Sequence, residues 1–193
     1  MPYNKEGTLL YIHLPRTGGT SIEEAYNLTE MRSPTEVPSP QHLIASEVKK
    51  KVGTLWDTAF KFSLVRDPIQ RLRSEFGWRL PPKPTPFGFK LENTEQSFND
   101  FLLYAQIVVK KGKYDIHTFD HFRPQVEFLD EPLDKVFTDI VQMQLFFQEI
   151  GYPLLPHLNH APSSDDIMSE RNINLIKKIY AKDFERISAL QTA

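Results

Sequence analysis

The sequence predicts an α/β protein built on a mainly parallel sheet, and three strand-to-helix units carry that expectation. The apolar run Leu9-Leu10-Tyr11-Ile12 leads through Gly18 and Gly19 into a helical pattern, a strand, tight turn and helix in succession. Phe60 to Val65 leads in the same way through Arg66-Asp67-Pro68 into a second helix. Lys135 to Ile140 reads as a third strand followed by the helix VQMQLFFQEIG. Open α/β folds bind their ligands beyond the carboxyl ends of such strands.

In chain order, Thr20 or Ser21 is placed to cap the first helix, with Glu23 or Glu24 three residues on, giving a helix from about Thr20 to Leu28. Pro34, Pro38 and Pro40 exclude its continuation, and His42 opens a short helix running to Lys51. Asp67 suits the cap and Pro68 the first position of the helix from Ile69 to Trp78. Arg79 to Asn93, with Pro81, Pro82, Pro84 and Pro86, reads either as a lid or as an ordinary irregular connection. Glu95 to Lys110 resumes an apolar helical pattern, and Gly151 ends the helix after the third strand. Past the loop GYPLLPHLNHAPSSD, Ser169 or Asn172 starts a last helix in which Ile173, Ile176, Ile179 and Tyr180 recur at helical spacing.

The 193 residues, 40% hydrophobic and 25% charged, fit a single domain over residues 1–193. A net charge of -2 argues against a general nucleic-acid binder, so Lys49, Lys50 and Lys51 read as a solvated helix end. No cysteine is present, which excludes disulfides and thiolate chemistry and is compatible with a cytoplasmic location. The amino-terminal apolar run is too short to cross a bilayer.

The first glycine turn, with Arg16, Thr17, Gly18, Gly19, Thr20 and Ser21, is a natural anion cradle. It lacks the lysine that the ATPase pattern places directly after its last glycine, and only Asp139 offers a candidate acidic strand end for magnesium. The second strand exit supplies Arg66, with Ser74 two turns into the next helix on a side shared with Gln70 and Arg71. This set either grips a second phosphate through an arginine fork and a hydroxyl, or consists of an ordinary ion pair and a surface serine. His117 and His121, and His157 and His160, have spacings that suggest metal ligands only weakly and read as scattered loop histidines. His13 either lines the site or packs beneath it, and Trp78, Phe87 and Phe89 either stack on an acceptor or belong to the core.

HLPRTGGTSIEE resembles the 5′-phosphosulfate loop of sulfotransferases that use 3′-phosphoadenosine 5′-phosphosulfate (PAPS), in the carbohydrate, heparan-sulfate 2-O-like branch. SLVRDPIQRLRSEF is similar to that family's 3′-phosphate segment, its arginine and serine falling on Arg66 and Ser74. PSPQHLIASEV, HFRPQVEFL and IYAKDFERI are similar to the family's base-bearing, R-P-Q and Y-x-x-D-F segments. The resemblance implies a three-layer α/β/α sandwich with a central mainly parallel sheet, the P-loop NTPase-like sulfotransferase fold. It implies transfer of a sulfuryl group from PAPS to a hydroxyl of a carbohydrate or small metabolite by in-line displacement, with adenosine 3′,5′-bisphosphate leaving and no metal required.

The same resemblance implies roles for single residues. His42 is the general base, and Arg16, standing where the family has lysine, meets the charge on the bridging oxygen electrostatically. Gln125 and Arg123 contact the donor or order the loop above it, and Asn159, in the late loop, closes over the nucleotide. Two competing expectations stand beside this one: a P-loop kinase or nucleotide hydrolase, and a non-catalytic nucleotide-binding protein of the same fold, to which the substitution by Arg16 points.

Overall fold

The computed structural model describes residues 3–28, 42–80, 88–114, 119–156 and 167–192. Its centre is a parallel sheet of three strands, β1 (Leu9–Ile12), β2 (Phe60–Leu64) and β3 (Lys135–Phe137), in the order β1-β2-β3. Tyr11 lies opposite Phe62 and Ile12 opposite Ser63, while Ser63 also faces Val136 on β3. All four residues of β1 are buried, as in a strand covered on both faces. Because the strands are parallel, all three carboxyl ends open on one edge of the sheet.

Alternation along the strands divides the core. Leu9, Tyr11, Phe62, Leu64 and Phe137 pack with Ile22 of α1 (Gly19–Ala25) and with Met143 and Phe147 of α7 (Ile140–Glu149). Leu10, Ile12 and Val136 face the other way, toward α2 (Ala45–Val52), α3 (Leu55–Thr58), α6 (Gln125–Phe128) and α9 (Ala181–Gln191). The result is the three-layer α/β/α sandwich expected. A further apolar cluster joins α4 (Pro68–Arg79), α5 (Glu95–Lys111) and α8 (Glu170–Ile179) around Phe76, Phe98, Phe101 and Ile176.

The helix starts follow local chemistry. The Asp67 carboxylate accepts from the Gln70 amide at 2.9 Å, with Pro68 in the first helical position as read from the sequence. Thr94 and Ser169 cap α5 and α8.

Four boundaries differ from the sequence expectation. α1 begins at Gly19, with Gly18 at its cap in the left-handed region (φ 90°), so Thr20 and Ser21 lie inside the helix. His42 stands in a short 3₁₀ turn and the regular helix starts only at Ala45. β3 stops at Phe137, because the Asp139 carboxylate accepts from the Gln142 amide at 2.9 Å and starts α7 at Ile140. Asp139, the candidate magnesium ligand, is thus a helix cap. The last helix is two: α8 ends at Ile179, and Tyr180 turns the chain into α9 while its hydroxyl donates to the Phe122 carbonyl at 2.9 Å. The proline-bearing residues 34–40 and 81–86, together with Phe87, His117, His157, Asn159 and His160, lie outside the described residues.

Candidate functional site

Two of the strand exits meet through arginine. Arg16 follows β1 in the left-handed region (φ 65°), and its carbonyl accepts from Arg66 Nη1 at 3.2 Å. Its guanidinium reaches α4, where Nε and Nη2 donate to Ser74 Oγ at 3.3 and 3.1 Å. Arg16, Arg66 and Ser74, distant in sequence, therefore form one contact group at the sheet edge.

The glycine turn is built from the inside. Thr17 is buried, and its hydroxyl donates to the Leu14 carbonyl at 2.9 Å, closing the turn on itself. Gly18 and Thr20 are exposed on the outer side, while Ser21 is buried. Gly19 is required by space: a Cβ there would stand 1.9 Å from His13 Nε2. His13, 4% exposed, lies directly beneath the turn with Nδ1 2.5 Å from the fully buried carboxylate of Glu23. Of the two sequence alternatives for His13, the packed position beneath the loop is the observed one.

Arg66 is held by its backbone. Gln125, 1% exposed, accepts from the Arg66 amide at 2.9 Å and donates to its carbonyl at 2.8 Å. Asp183 of α9 in turn accepts from the amides of Gln125 and Val126 at 2.9 and 3.0 Å. Burial pushes the Asp183 carboxyl up, and Arg71 with these two amides draws it back. Arg71, grouped by sequence with the phosphate-gripping side of α4, is instead 1% exposed. It donates to the carbonyls of Pro15, His121 and Arg123, fastening three loops to one helix. Arg123 lies over the rings of Tyr114 and Phe128, 4.7 and 5.3 Å from their centres.

His42 stands between two other imidazoles. Its Nδ1 lies 3.3 Å from the His13 carbonyl, and its ring meets those of His13 and His121 edge to face at 4.6 and 5.0 Å. A carbonyl only accepts, so Nδ1 carries a proton. His121 stacks on Trp78, and its Nδ1 lies 2.8 Å from Glu75. Glu75 also pairs with Arg79 and stands 3.9 Å from Arg16. Among the described residues no group of three His, Cys, Asp or Glu is arranged to hold a metal ion.

Charge at the site is unevenly balanced. Burial pushes the Arg16 guanidinium down; Glu75 draws it back, while Arg66 and Arg79 push it further. Arg66 is lowered by burial, opposed by Asp67 and reinforced by Arg73. Glu75 is held well below the usual carboxylate range by His121, Arg79 and Arg16 despite burial. Burial pushes His121 down, opposed by Glu75, and pushes the Asp120 carboxyl up to about 8.

The structure thus brings together Arg16, Thr17, Gly18, Gly19, Thr20, Ser21, His42, Arg66, Ser74 and Gln125 at one edge; Asn159 is outside the described residues. Sequence reading does not single out Glu75, and it takes Glu23 only for a capping candidate. Their histidine partners are ten and more residues away, and only the neighbouring Ser74 motif and the run after the glycines point near them. Asp183 lies in the Y-x-x-D-F segment, which marks it without revealing its hold on Gln125.

Comparison with curated proteins and with solved structures returned no match. Among protein-family models, the one described as the sulfotransferase family matches residues 3–186. That span includes every strand and both strand exits that converge on Arg16, and the chain belongs to the sulfotransferase family.

Proposed function

We propose that this single domain transfers a sulfuryl group from PAPS to a hydroxyl of a carbohydrate or small metabolite in the cytoplasm, in the manner of the heparan-sulfate 2-O-like branch. The observation that carries the proposal is the convergence of Arg16, Arg66 and Ser74 from two strand exits. The residues fit a donor with several negative charges. Both guanidiniums are depressed by burial and by cationic neighbours, and a bound polyanion relieves that repulsion.

The donor supplies an electrophilic sulfur with adenosine 3′,5′-bisphosphate as its leaving group. In the proposal Arg66 and Ser74 bind the 3′-phosphate, and Gln125 fixes Arg66 through its backbone. Residues 17–21 wrap the 5′ end, Asn159 closes over it, and Arg16 meets the charge that builds on the bridging oxygen. Arginine stays protonated, so this help is electrostatic. His42 takes the acceptor proton, its ring held by the hydrogen bond from Nδ1 to the His13 carbonyl.

The test is selective protection followed by transfer. Adenosine 3′,5′-bisphosphate should raise the unfolding temperature and ATP with magnesium should not. Labelled sulfate from PAPS should then appear in at least one member of a hydroxyl acceptor panel. Protection by ATP with magnesium alone would replace the proposal with the kinase or hydrolase alternative.

A further inference from the structure

One turn of α4 gathers around the Arg16 guanidinium. Ser74 Oγ accepts from its Nε and Nη2, the Glu75 carboxylate stands 3.9 Å from Nε, and the centre of the Trp78 ring lies 5.6 Å from Cζ. Residues 74 and 78 are four apart and 75 and 78 three apart, the spacings that make neighbours on a helix surface. Two of these partners have other duties. Glu75 also pairs with Arg79 and His121, and in the proposed function Ser74 binds the 3′-phosphate of the donor. The indole engages the arginine through its ring and draws on none of its hydrogen bonds.

The arrangement suits a guanidinium and not an ammonium. The N–H donors of arginine lie in one plane, so its edge can serve a hydroxyl while its face lies against a ring. Lysine carries a compact charge with three rotating donors and a tightly held water shell. The Arg16 side chain is only 13% exposed, and a weakly hydrated guanidinium gives up water there at less cost than an ammonium.

We infer that Trp78 is a positioning residue for Arg16: its ring holds the guanidinium in the orientation that meets the bridging oxygen of the donor, and it makes position 16 a place for arginine rather than lysine. The inference rests on the proposed role of Arg16. In the step it serves, the acceptor oxygen bonds to sulfur and its proton passes to the base, while the bridging S–O bond breaks with its electron pair leaving on the bisphosphate. Arg16 helps most when it already faces the oxygen on which that charge appears, because a preorganised charge needs no reorientation during the reaction.

The ring has other neighbours. His121 stacks on it with ring centres 5.6 Å apart, and the Arg79 guanidinium lies 5.4 Å from its centre. Arg79 is also anchored by Glu75 and lies over the Phe122 ring. A role of Trp78 confined to packing His121 or Arg79 predicts the same loss whichever residue stands at position 16, and a double-mutant cycle separates that role from the one inferred.

The test uses the full 193-residue chain and has two readouts. In the first, by NMR without donor or acceptor, the Arg16 Nε–H signal is identified by its loss in Arg16→Lys. It should shift in Trp78→Leu, where the ring current is gone, and return part of the way in Trp78→Phe. In the second, transfer of labelled sulfate from PAPS to the acceptor panel should slow about 3- to 30-fold in Trp78→Leu, the range of a cation–π contact, and recover most of that loss in Trp78→Phe. Calorimetric affinity for adenosine 3′,5′-bisphosphate should stay within about twofold, and in the Arg16→Lys background Trp78→Leu should slow transfer by about twofold or less. An unmoved Arg16 signal, an equal loss in both backgrounds, or a phenylalanine variant no faster than the leucine one overturns the inference. Should Trp78→Leu fail to fold, Trp78→Phe takes its place in both readouts, with smaller changes expected in the same directions. If the unaltered chain transfers no sulfate to any acceptor, the proposed function falls, and the NMR signal alone decides whether Trp78 orients Arg16.

Discussion

The guanidinium of Arg16 and the hydroxyl of Ser74 are in direct contact, with two donors of the arginine converging on one oxygen at 3.1 and 3.3 Å. The residues expected to serve opposite ends of the donor thus hold each other. Arg16→Ala should slow sulfuryl transfer about 10²- to 10³-fold, the scale of losing one preorganised charge at a developing anion, while weakening bisphosphate binding far less. Ser74→Ala should do the reverse, weakening the bisphosphate about tenfold by loss of a hydrogen bond to a charged group. Calorimetric titration beside single-turnover rates separates the two, and full transfer activity in the Arg16 variant would remove its assigned role.

His42→Ala should reduce turnover about 10²- to 10⁴-fold. Donor binding should stay nearly unchanged, because in the proposal His42 serves the acceptor hydroxyl and the phosphates are held by Arg66, Ser74 and residues 17–21. Turnover equal to that of the unaltered chain would move the base elsewhere.

Gly19→Ala places a methyl group in the ring of His13, 1.9 Å from Nε2. The ring is pinned by Glu23 and has nowhere to go. Thermal melts should show a loss of about 1–3 kcal/mol. Adding His13→Ala should recover part of that loss, so that the two changes are strongly non-additive; independent effects would show that the clash is relieved by backbone movement instead.

Asp183→Asn keeps one of the two oxygens that accept from the Gln125 and Val126 amides and sets an NH2 against the other amide, and should cost about 1–3 kcal/mol. Bisphosphate affinity should fall with it, since Gln125 and through it Arg66 lose their support. Hydrogen exchange at the Gln125 and Val126 amides gives the local readout: protection unchanged from the unaltered chain would disconnect α9 from the site.

Asp120 sets a pH dependence whose sign follows from its burial. Its carboxyl is pushed up from 3.8 to about 8, so between those values the folded chain holds a proton that the unfolded chain has lost. Its contribution to stability is complete below about pH 4, declines as pH rises and is gone above about pH 8. Asp120→Asn should flatten the decline, and melting curves at pH 5 and pH 8 test this; an unchanged difference between them would place the cause in another group.

How much was legible in advance follows from how local each signal is. β2, its exit and the start of α4 could be read closely because Asp67 and Pro68 act on their immediate neighbours. The end of β3 could not, since Val136, Phe137 and Ile140 continue an apolar pattern and only the Asp139 cap separates strand from helix. Helical spacing runs straight through Tyr180, whereas the break there accompanies a bond to Phe122, 58 residues away. Arg71 shows the same limit at the site. Its side of α4 could be placed, but three carbonyls from distant loops turn it from a ligand candidate into a clasp.

The line from Asp183 through Gln125 to Arg66 also sets an order of events during synthesis. A growing chain has made Arg16, His42, Arg66 and Ser74 long before α9 emerges, yet the strand exit that carries Arg66 is braced by the last helix. A chain cut before residue 180 would therefore make the Arg66 exit without the brace that Asp183 supplies through Gln125.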